Sequence, residues 1–567
     1  MTGEGINNYM GEDYADFIVD YRTNPRIAEL FPGAAILDIN NTYAIIYLPV
    51  SQFANRMMRG IRLLIVPNVY GLASEVSLEA SGVQKIRSMP DFNLRGEGVL
   101  IGIIDTGINY TLPAFKKENG TTKIRSIWDQ TIKSVNGAQS STNFGTEYKE
   151  EQINQALQNE NPLTVVPSTD EDGHGTMLAG IAAGTENSTE GFYGVAPEAE
   201  LVIVKLAQAK KYLREFYSIP EGVICYQENY IMWGVQYCLD VARQLERPIA
   251  ICIGVGTSQS GHDGTAPLSE LLNMYADFPR VGIVTAIGNE GNLGRHYYGT
   301  IDPAVGNTSL EFNVGENDKG FSMQLWGEAP GIFSIDILSP SGEYIPRISA
   351  GLQVSRRISF IFEQTIINVE YQTVEPRTGD ELILLNFHNT TPGVWKITVY
   401  GQGNLVGNFH IWLPMGNFIS KDTYFIKPNI YTTVVAPGDA VVPISVTAYN
   451  PVGDSLYANA SRGYTRTNTI KPELAAPGVN YLAPTLDGGY TNFTGTGVAS
   501  AHTAGIVALL LEWGVVRGNQ QNIDTLEIKK YLIRGAKRSS NLTYPNRDWG
   551  YGILDIYNAF DVLRSSV

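Results

Sequence analysis

The chain is poor in cysteine, in histidine and in positive charge. Its three cysteines, Cys225, Cys238 and Cys252, cannot all pair with one another and lack zinc-ligand spacing. That excludes a disulfide framework and predicts buried thiols in a reducing compartment. The six histidines and scattered carboxylates show no transition-metal spacing, and no loop identifies a calcium site, so no cofactor is expected. With 41 basic residues against 57 acidic ones the formal charge is -16, which argues against a nucleic-acid or anionic-membrane partner. No run of about 18 apolar residues occurs, so no membrane span is expected. The opening MTGEGINNYMGEDYADFIVDY has neither a basic n-region nor an apolar h-region; it reads as no signal peptide, and synthesis in the cytoplasm is expected. Sequons such as Asn389-Thr390-Thr391 carry no weight without secretion.

What is present is a globular composition, 43% hydrophobic over 567 residues, enough for two or three packed units. The first seventy or so residues hold two alternating runs, AAILDINN and TYAIIYLPV, joined at an Asn-Asn turn and followed by amphipathic SQFANRMMRGI and apolar RLLIVP. That order of hairpin, helix and strand predicts a small α+β unit over residues 1–75, with a boundary near NVYGLASEVSLEASGV. From about Leu94 the pattern changes to apolar strands followed by glycine-rich turns: GVLIGIIDTGI, AELVIVKLA, PIAICIGVG and RVGIVTAIGNEGN. Nearly continuous Val, Ile and Ala predict a parallel sheet buried on both faces, an α/β core over 94–305 and 426–567. Between them, over 306–425, the helical signal disappears. The runs SLEFNV, GFSMQLWG, FSIDILSP, RISFIFEQ, IINVEYQTV, ELILLNFH, GVWKITVYG and NFHIWLPM predict eight strands in an all-β sandwich of the jelly-roll kind. AVVPISVTAYN and the helix after Gly497 return to the α/β style, so the β unit reads as an insertion.

Four positions carry candidate chemistry. Asp105 ends the strand GVLIGIID at the carboxyl edge of the sheet, the usual place for function in open α/β folds; capping its own turn is the bland alternative. His174, in DEDGHGTMLAGIAAG, is flanked by Gly173 and Gly175, which clear space around an imidazole; a satisfied structural histidine is the alternative. Asn289, in VTAIGNEGN, ends another buried strand and is placed to aim an amide at a developing oxyanion, or simply to form a turn. In TNFTGTGVASAHTAGIVALLLEW a Gly-Thr-Gly turn opens a helix where a nucleophile is expected, yet Gly497 has no side chain. An Asp, a His, an Asn and a Gly-Thr-x-x-Ala helix start, in that order, are the parts of serine-type acyl transfer: orienter, base, oxyanion donor and nucleophile.

Seven ordered motifs, IGIIDTGI, GHGTMLAGIAAG, GVAPEAELVIVK, AIGNEGN, ASRG, IKPELAAPGVN and GTGVASAHTAG, resemble those of the subtilisin-like serine proteases, over roughly 94–304 and 430–565. In that family the last motif reads Gly-Thr-Ser-x-Ala and its Ser is the nucleophile. Gly495-Thr496, Ala499 and Ala504-Gly505 fix the register, so the Ser position is Gly497; the Pro usual four residues later is Ala501. In more detail the chain is similar to the Csp germination proteases of spore-forming clostridia, with a short N-terminal prodomain, GTSQSGHDG near the substrate cleft and a jelly-roll insertion. That group includes pseudoproteases, and the resemblance implies that this is one, with Asp105, His174 and Asn289 retained and the nucleophile position vacant at Gly497.

Neither neighbouring hydroxyl is expected to replace the serine. Ser500 lies about 4.5 Å further along the helix axis, Thr496 points away, and a misplacement of about 1 Å can cost 10²-fold. Removing the serine from subtilisin costs about 2 × 10⁶ in kcat, so turnover is expected to be negligible. The segment up to about residues 70–76, which active relatives cut from themselves, is then expected to stay attached and able to occlude the cleft. By resemblance the function is regulation of spore germination, either by sensing a germinant small molecule or by controlling an active Csp protease that processes a cortex-lytic hydrolase, in a protein incorporated into the spore. The alternatives are an active endopeptidase seen with its nucleophile replaced by Gly497, and a folding or assembly factor whose N-terminal or β unit is the working surface. His502 is read as packing, Arg462-Gly463 as a structural turn, and His262 and Asp263 as turn-forming residues beside the cleft.

Overall fold

The computed structural model describes residues 10–21, 34–51, 66–72, 81–88, 92–133, 144–351 and 355–564. The runs SQFANRMMRGI and RLLIVP lie almost entirely outside the described residues. At the N-terminal end β1 (Tyr14–Asp20) and β2 (Ala35–Asp38) flank β3 (Tyr43–Pro49) in an antiparallel sheet. Asn40 builds the hairpin turn: its Oδ1 accepts from the N–H of Thr42 at 2.8 Å and of Tyr43 at 2.9 Å, an Asx arrangement that fixes the register. β1 is buried on both faces, and one of them carries Asp16. The Asp16 carboxylate accepts from Lys210, from Gln227 Nε2 at 2.9 Å and from Asn229 Nδ2 at 3.0 Å, so an acid of the small unit is sunk into the larger one.

Strand β4 (Val69–Leu72) leaves this unit. The main sheet follows, built from β5 (Leu100–Asp105), β6 (Ile124–Asp129), β7 (Thr146–Lys149), β8 (Glu200–Lys205), β10 (Ile249–Ile253) and β12 (Val281–Ala286), with the two-residue strands β9 (Tyr226–Gln227) and β11 (Val255–Gly256) beside it. Parallel pairing runs β12-β10-β5-β8-β6, and β7 closes one edge antiparallel. Continuous apolar runs suit this sheet because both faces are covered. Ile101, Ile103, Cys252 and Val284 face the helices His174–Ala183 and Thr496–Leu511, whereas Ile104, Ile251 and Ile283 face the helices Glu228–Gln244 and Pro267–Ala276 together with β1 to β3.

The sandwich comprises β13 (His296–Ile301), β14 (Asn307–Val314), β15 (Gly320–Gly327), β16 (Ile332–Leu338), β17 (Tyr344–Ile348), β18 (Ser355–Ser359), β19 (Ile366–Gln372), β20 (Glu381–His388), β21 (Gly393–Gln402), β22 (Gly407–Trp412) and β23 (Tyr424–Phe425). One sheet runs β13-β22-β15-β20-β19-β18 and the other β17-β16-β21-β14-β23, all antiparallel. Alternation sends Phe321, Met323, Leu325, Ile367, Val369 and Tyr371 into the space between the sheets. The chain then re-enters the main sheet through β24 (Ile444–Asn450), parallel to β12, followed by β25 (Ser455–Leu456) and β26 (Leu474–Pro477).

The outer face of the larger sandwich sheet packs on the loop Thr257–Thr265 of the core. His262 stacks on Trp412 with centroids 4.0 Å apart, and Arg466 pairs with both Asp263 and Asp380 while lying 5.1 Å above the Trp326 ring. His262 and Asp263 are therefore buried seam residues as well as turn residues. Burial pushes the His262 ring down to about 4, against the hydrogen bonds to Val434 and Ser258. One stretch, Thr496–Val516, is helical and apolar enough to cross a membrane by length and composition, although no run of about 18 consecutive apolar residues occurs in it. Of its most apolar 18-residue window, 89% is buried, as suits the central core helix.

Candidate active site

Asp105 and His174 meet where β5 ends and the helix His174–Ala183 begins. Asp105 is fully buried, His174 is 5% exposed, and His174 Nδ1 lies 2.6 Å from Asp105 Oδ1. The helix start is held by Asp170, which accepts from the N–H of Gly173 at 2.8 Å and of Thr176 at 2.9 Å. Thr106 Oγ1 accepts from the N–H of Gly175 at 2.8 Å. A Cβ at residue 175 would sit 2.3 Å from the Gly107 carbonyl oxygen, so the turn after β5 and this helix approach closely only because of glycine. Burial pulls the imidazole down, but the charge and hydrogen bond of Asp105, with Asp172 and Asp170 behind it, more than offset that and leave its pKa above the usual 6.5. The second ring nitrogen, Nε2, is buried and has no hydrogen-bond partner among the described residues.

The turn after β12 brings Asn289 to the same edge. Its Oδ1 accepts from Thr496 N–H and Thr496 Oγ1, each at 3.2 Å, while Thr496 Oγ1 accepts from Gly288 N–H at 3.1 Å. The Thr496 hydroxyl is thereby committed to orienting Asn289, whose NH₂ group is left as the donor on the opposite branch. Gly497 is the second residue of the helix Thr496–Leu511 and is buried. Ser500 Oγ donates to the Gly497 carbonyl at 2.6 Å and lies 3.6 Å from Cys252 Sγ, so it is tied to the helix. Burial pushes the Cys252 thiol up to about 12 and the Cys225 thiol up to about 11, which removes both as thiolates.

The groove leading to the dyad is filled by the chain itself. β4 is the middle strand of an antiparallel sheet, with Leu72 opposite Val255 and Gly71 opposite Gly256 on one side, and Tyr70 opposite Tyr226 and Val69 opposite Gln227 on the other. β11 continues β10 through Gly254, where a Cβ would lie 3.3 Å from His174 Cε1 and 3.5 Å from Asp105 Oδ2; β4 thus runs up to the dyad. Glu228 clamps the incoming strand. Its buried carboxylate accepts from Asn68 N–H, Asn68 Nδ2 and Tyr70 OH, each at 3.1 Å, and from Leu268 N–H at 3.0 Å. Burial raises the Glu228 pKa in spite of those bonds. Downstream, His502 holds the returning chain: Nε2 lies 2.6 Å from Ser81 Oγ and Nδ1 2.9 Å from Tyr481 OH. Neither β4 nor the Glu228 clamp was foreseen from sequence, which placed only a unit boundary at NVYGL.

A model of the subtilase family matches residues 96–309 and 395–552, more than half of the chain, and passes over most of the sandwich. The chain is a subtilase. Among solved structures this subtilase is similar to the Clostridium perfringens CspB protease, at 30% identity and a TM-score of 0.76, covering 86% of the present chain and 97% of that one. Among curated proteins it is similar to the minor extracellular protease Vpr of Bacillus subtilis, 24% identical over 488 residues, and to pyrolysin of Pyrococcus furiosus, 29% identical over 165. It spans 52% of the length of Vpr and 12% of that of pyrolysin.

The dyad geometry of this subtilase has a pH signature. A ring whose pKa is raised by folding stabilises the fold fully below the unfolded value near 6.5 and loses that contribution as pH rises through the folded value. An NMR titration of the His174 ring protons is expected to show a midpoint above 6.5, and Asp105→Asn is expected to lower it. A midpoint at or below 6.5 in the unsubstituted protein would contradict the ion-pair account.

Proposed function

We propose that this subtilase works by binding and not by turnover: a CspB-like pseudoprotease that regulates spore germination, by sensing a small germinant or by controlling an active Csp protease that acts on a cortex-lytic hydrolase. The observation that carries the reading is the pairing of Gly497 with a partnerless base. His174 Nε2 has no hydroxyl to deprotonate among the described residues, and Thr496 and Ser500 are engaged elsewhere. On this reading the residues up to and including β4 are a prodomain that stays attached, β13 to β23 form a jelly-roll insertion, and Asp105 and His174 keep the cleft in shape. The protein is made in the cytoplasm and incorporated into the spore.

The test is the intact mass of freshly purified protein before and after exposure to a fluorophosphonate probe. A single unlabelled chain near 62.1 kDa is expected. A self-trimmed chain carrying one covalent adduct would replace this reading with the second one, an active endopeptidase. That second reading is favoured by one observation, the undamaged geometry of Asp105, His174 and Asn289.

A further inference from the structure

A cavity of about 260 Å³ opens on the opposite face of the main sheet from the helix His174–Ala183, at the seam between the N-terminal sheet and the helix Glu228–Gln244. Its walls include four aromatic side chains, Trp128, Phe144, Trp233 and Tyr237. They brace one another: Phe144 meets Trp128 and Trp233 edge-on at 5.1 Å each, and Trp128 lies 5.2 Å from Tyr237. Two carboxylates complete the lining, Asp38 from the N-terminal unit and Asp240 from the helix. Asp38 accepts from Tyr21 OH at 3.2 Å, and Asp240 from Gln236 Nε2 at 3.0 Å and from the exposed Arg243 at 2.7 Å.

The polar groups around this cavity are biased in one direction. The Tyr237 hydroxyl donates to Glu147 at 2.9 Å, a third acid next to the same wall. Two carboxylates and one arginine therefore line the cavity, Asp38, Asp240 and Arg243, with Glu147 behind the Tyr237 hydroxyl, in a chain of formal charge -16. Aromatic faces and carboxylates both attract cations, and the same field repels anions. The indole N–H of Trp233, also in the wall, is buried without an acceptor among the described residues.

We propose that this cavity binds a small organic cation, an alkyl- or arylalkylammonium ion, with its apolar part against the four rings and its ammonium group held by Asp38 and Asp240. The volume falls just below the roughly 300–1,000 Å³ of drug-sized sites, which sets the ligand at the size of a simple amine. Because Asp38 belongs to one packed unit and Asp240 to the other, the bound cation bridges them and strengthens their seam. The site is independent of whether the chain turns over peptide bonds, since neither the dyad nor residue 497 contributes to it.

The experiment is a titration of the full chain, followed by tryptophan fluorescence and by calorimetry, with phenethylammonium and with 3-phenylpropionate as its charge-reversed counterpart. Phenethylammonium is expected to bind saturably with a Kd below about 1 mM, and 3-phenylpropionate at least about tenfold more weakly. Asp240→Asn, at a half-exposed position, is expected to weaken the cation about tenfold; Asp38→Asn serves as the independent second variant should the first lose its cooperative melt. Equal binding of the two probes, no saturation by about 10 mM phenethylammonium, or unchanged affinity in both variants would overturn the proposal.

Discussion

Gly497→Ser is expected to turn this chain into an enzyme whose first substrate is itself. The position is the second residue of a right-handed helix, where serine fits without backbone strain; Asp105 and His174 are already hydrogen-bonded to each other, and Asn289 is held by Thr496, the residue just before position 497. In subtilisin, a relative and not this chain, loss of the serine alone costs about 2 × 10⁶ in kcat; a gain of that order bounds the effect from above. The bond at risk lies just beyond Leu72, because β4 leads from Glu228 to the dyad between β11 and β9. Mass spectrometry should find two fragments and, with a fluorophosphonate, one adduct on the larger. His174→Ala in the same background should abolish both. A Gly497→Ser chain that stays whole and unlabelled would mean that Asp105, His174 and Asn289 do not form a working site around residue 497.

Asp16→Ala is expected to cost about 3–5 kcal/mol, the range for removing one partner from a buried ion pair. Burial pushes the Asp16 carboxyl up, with Lys210, Asn229 and Gln227 pulling the other way, so the cluster survives only while its hydrogen bonds are complete. Without the carboxylate, Lys210 keeps the Tyr14 carbonyl at 3.1 Å but loses the Asp16 charge, Asn229 Nδ2 loses the Asp16 acceptor, and Gln227 Nε2 is left with Asn229 Oδ1 at 3.0 Å. Denaturant unfolding should show the drop, and limited proteolysis should find β1 to β3 cut earlier than in the parent. Asp16→Asn, which keeps an acceptor, should cost less. The paired substitution Asp16→Leu with Lys210→Met should recover part of the loss, since it leaves no lone buried charge. A penalty under about 1 kcal/mol for Asp16→Ala would show that this cluster does not hold the small unit in place.

The sequence pattern was readable where burial is symmetric. β5, β8, β10 and β12 are near-continuous apolar runs because helices cover both faces, and every one of the eight runs read between 306 and 425 overlaps a strand, RISFIFEQ only over its first three residues. β13 was missed because HYYGTI shows no apolar alternation: His296 stacks on Trp412 on one face while Tyr297 and Ile301 turn to the sandwich interior on the other. β17, YIPRI, was missed because Pro346 demotes such a run to an edge strand, and an edge is where it lies. β4 has no pattern to find: its partners are two-residue strands more than 150 positions away, so only tertiary structure creates it. The contact of Asp105 with His174 was anticipated from motif order. The commitment of the Thr496 hydroxyl to Asn289 was not, since nothing local in GNEGN or GTG states it.

The strand in the groove also sets how the groove answers a ligand from solution. β4 is tethered on both sides, through Asp16 and Glu228 before it and Ser81 after it, so it faces the groove at an effective concentration in the millimolar range. For a tail of about micromolar intrinsic affinity, a free peptide would register about a thousandfold weaker than its true affinity. A peptide library offered to this protein would therefore measure the persistence of the tail. The groove's own preference is better read from the occupant it keeps, the tetrapeptide Val69-Tyr70-Gly71-Leu72.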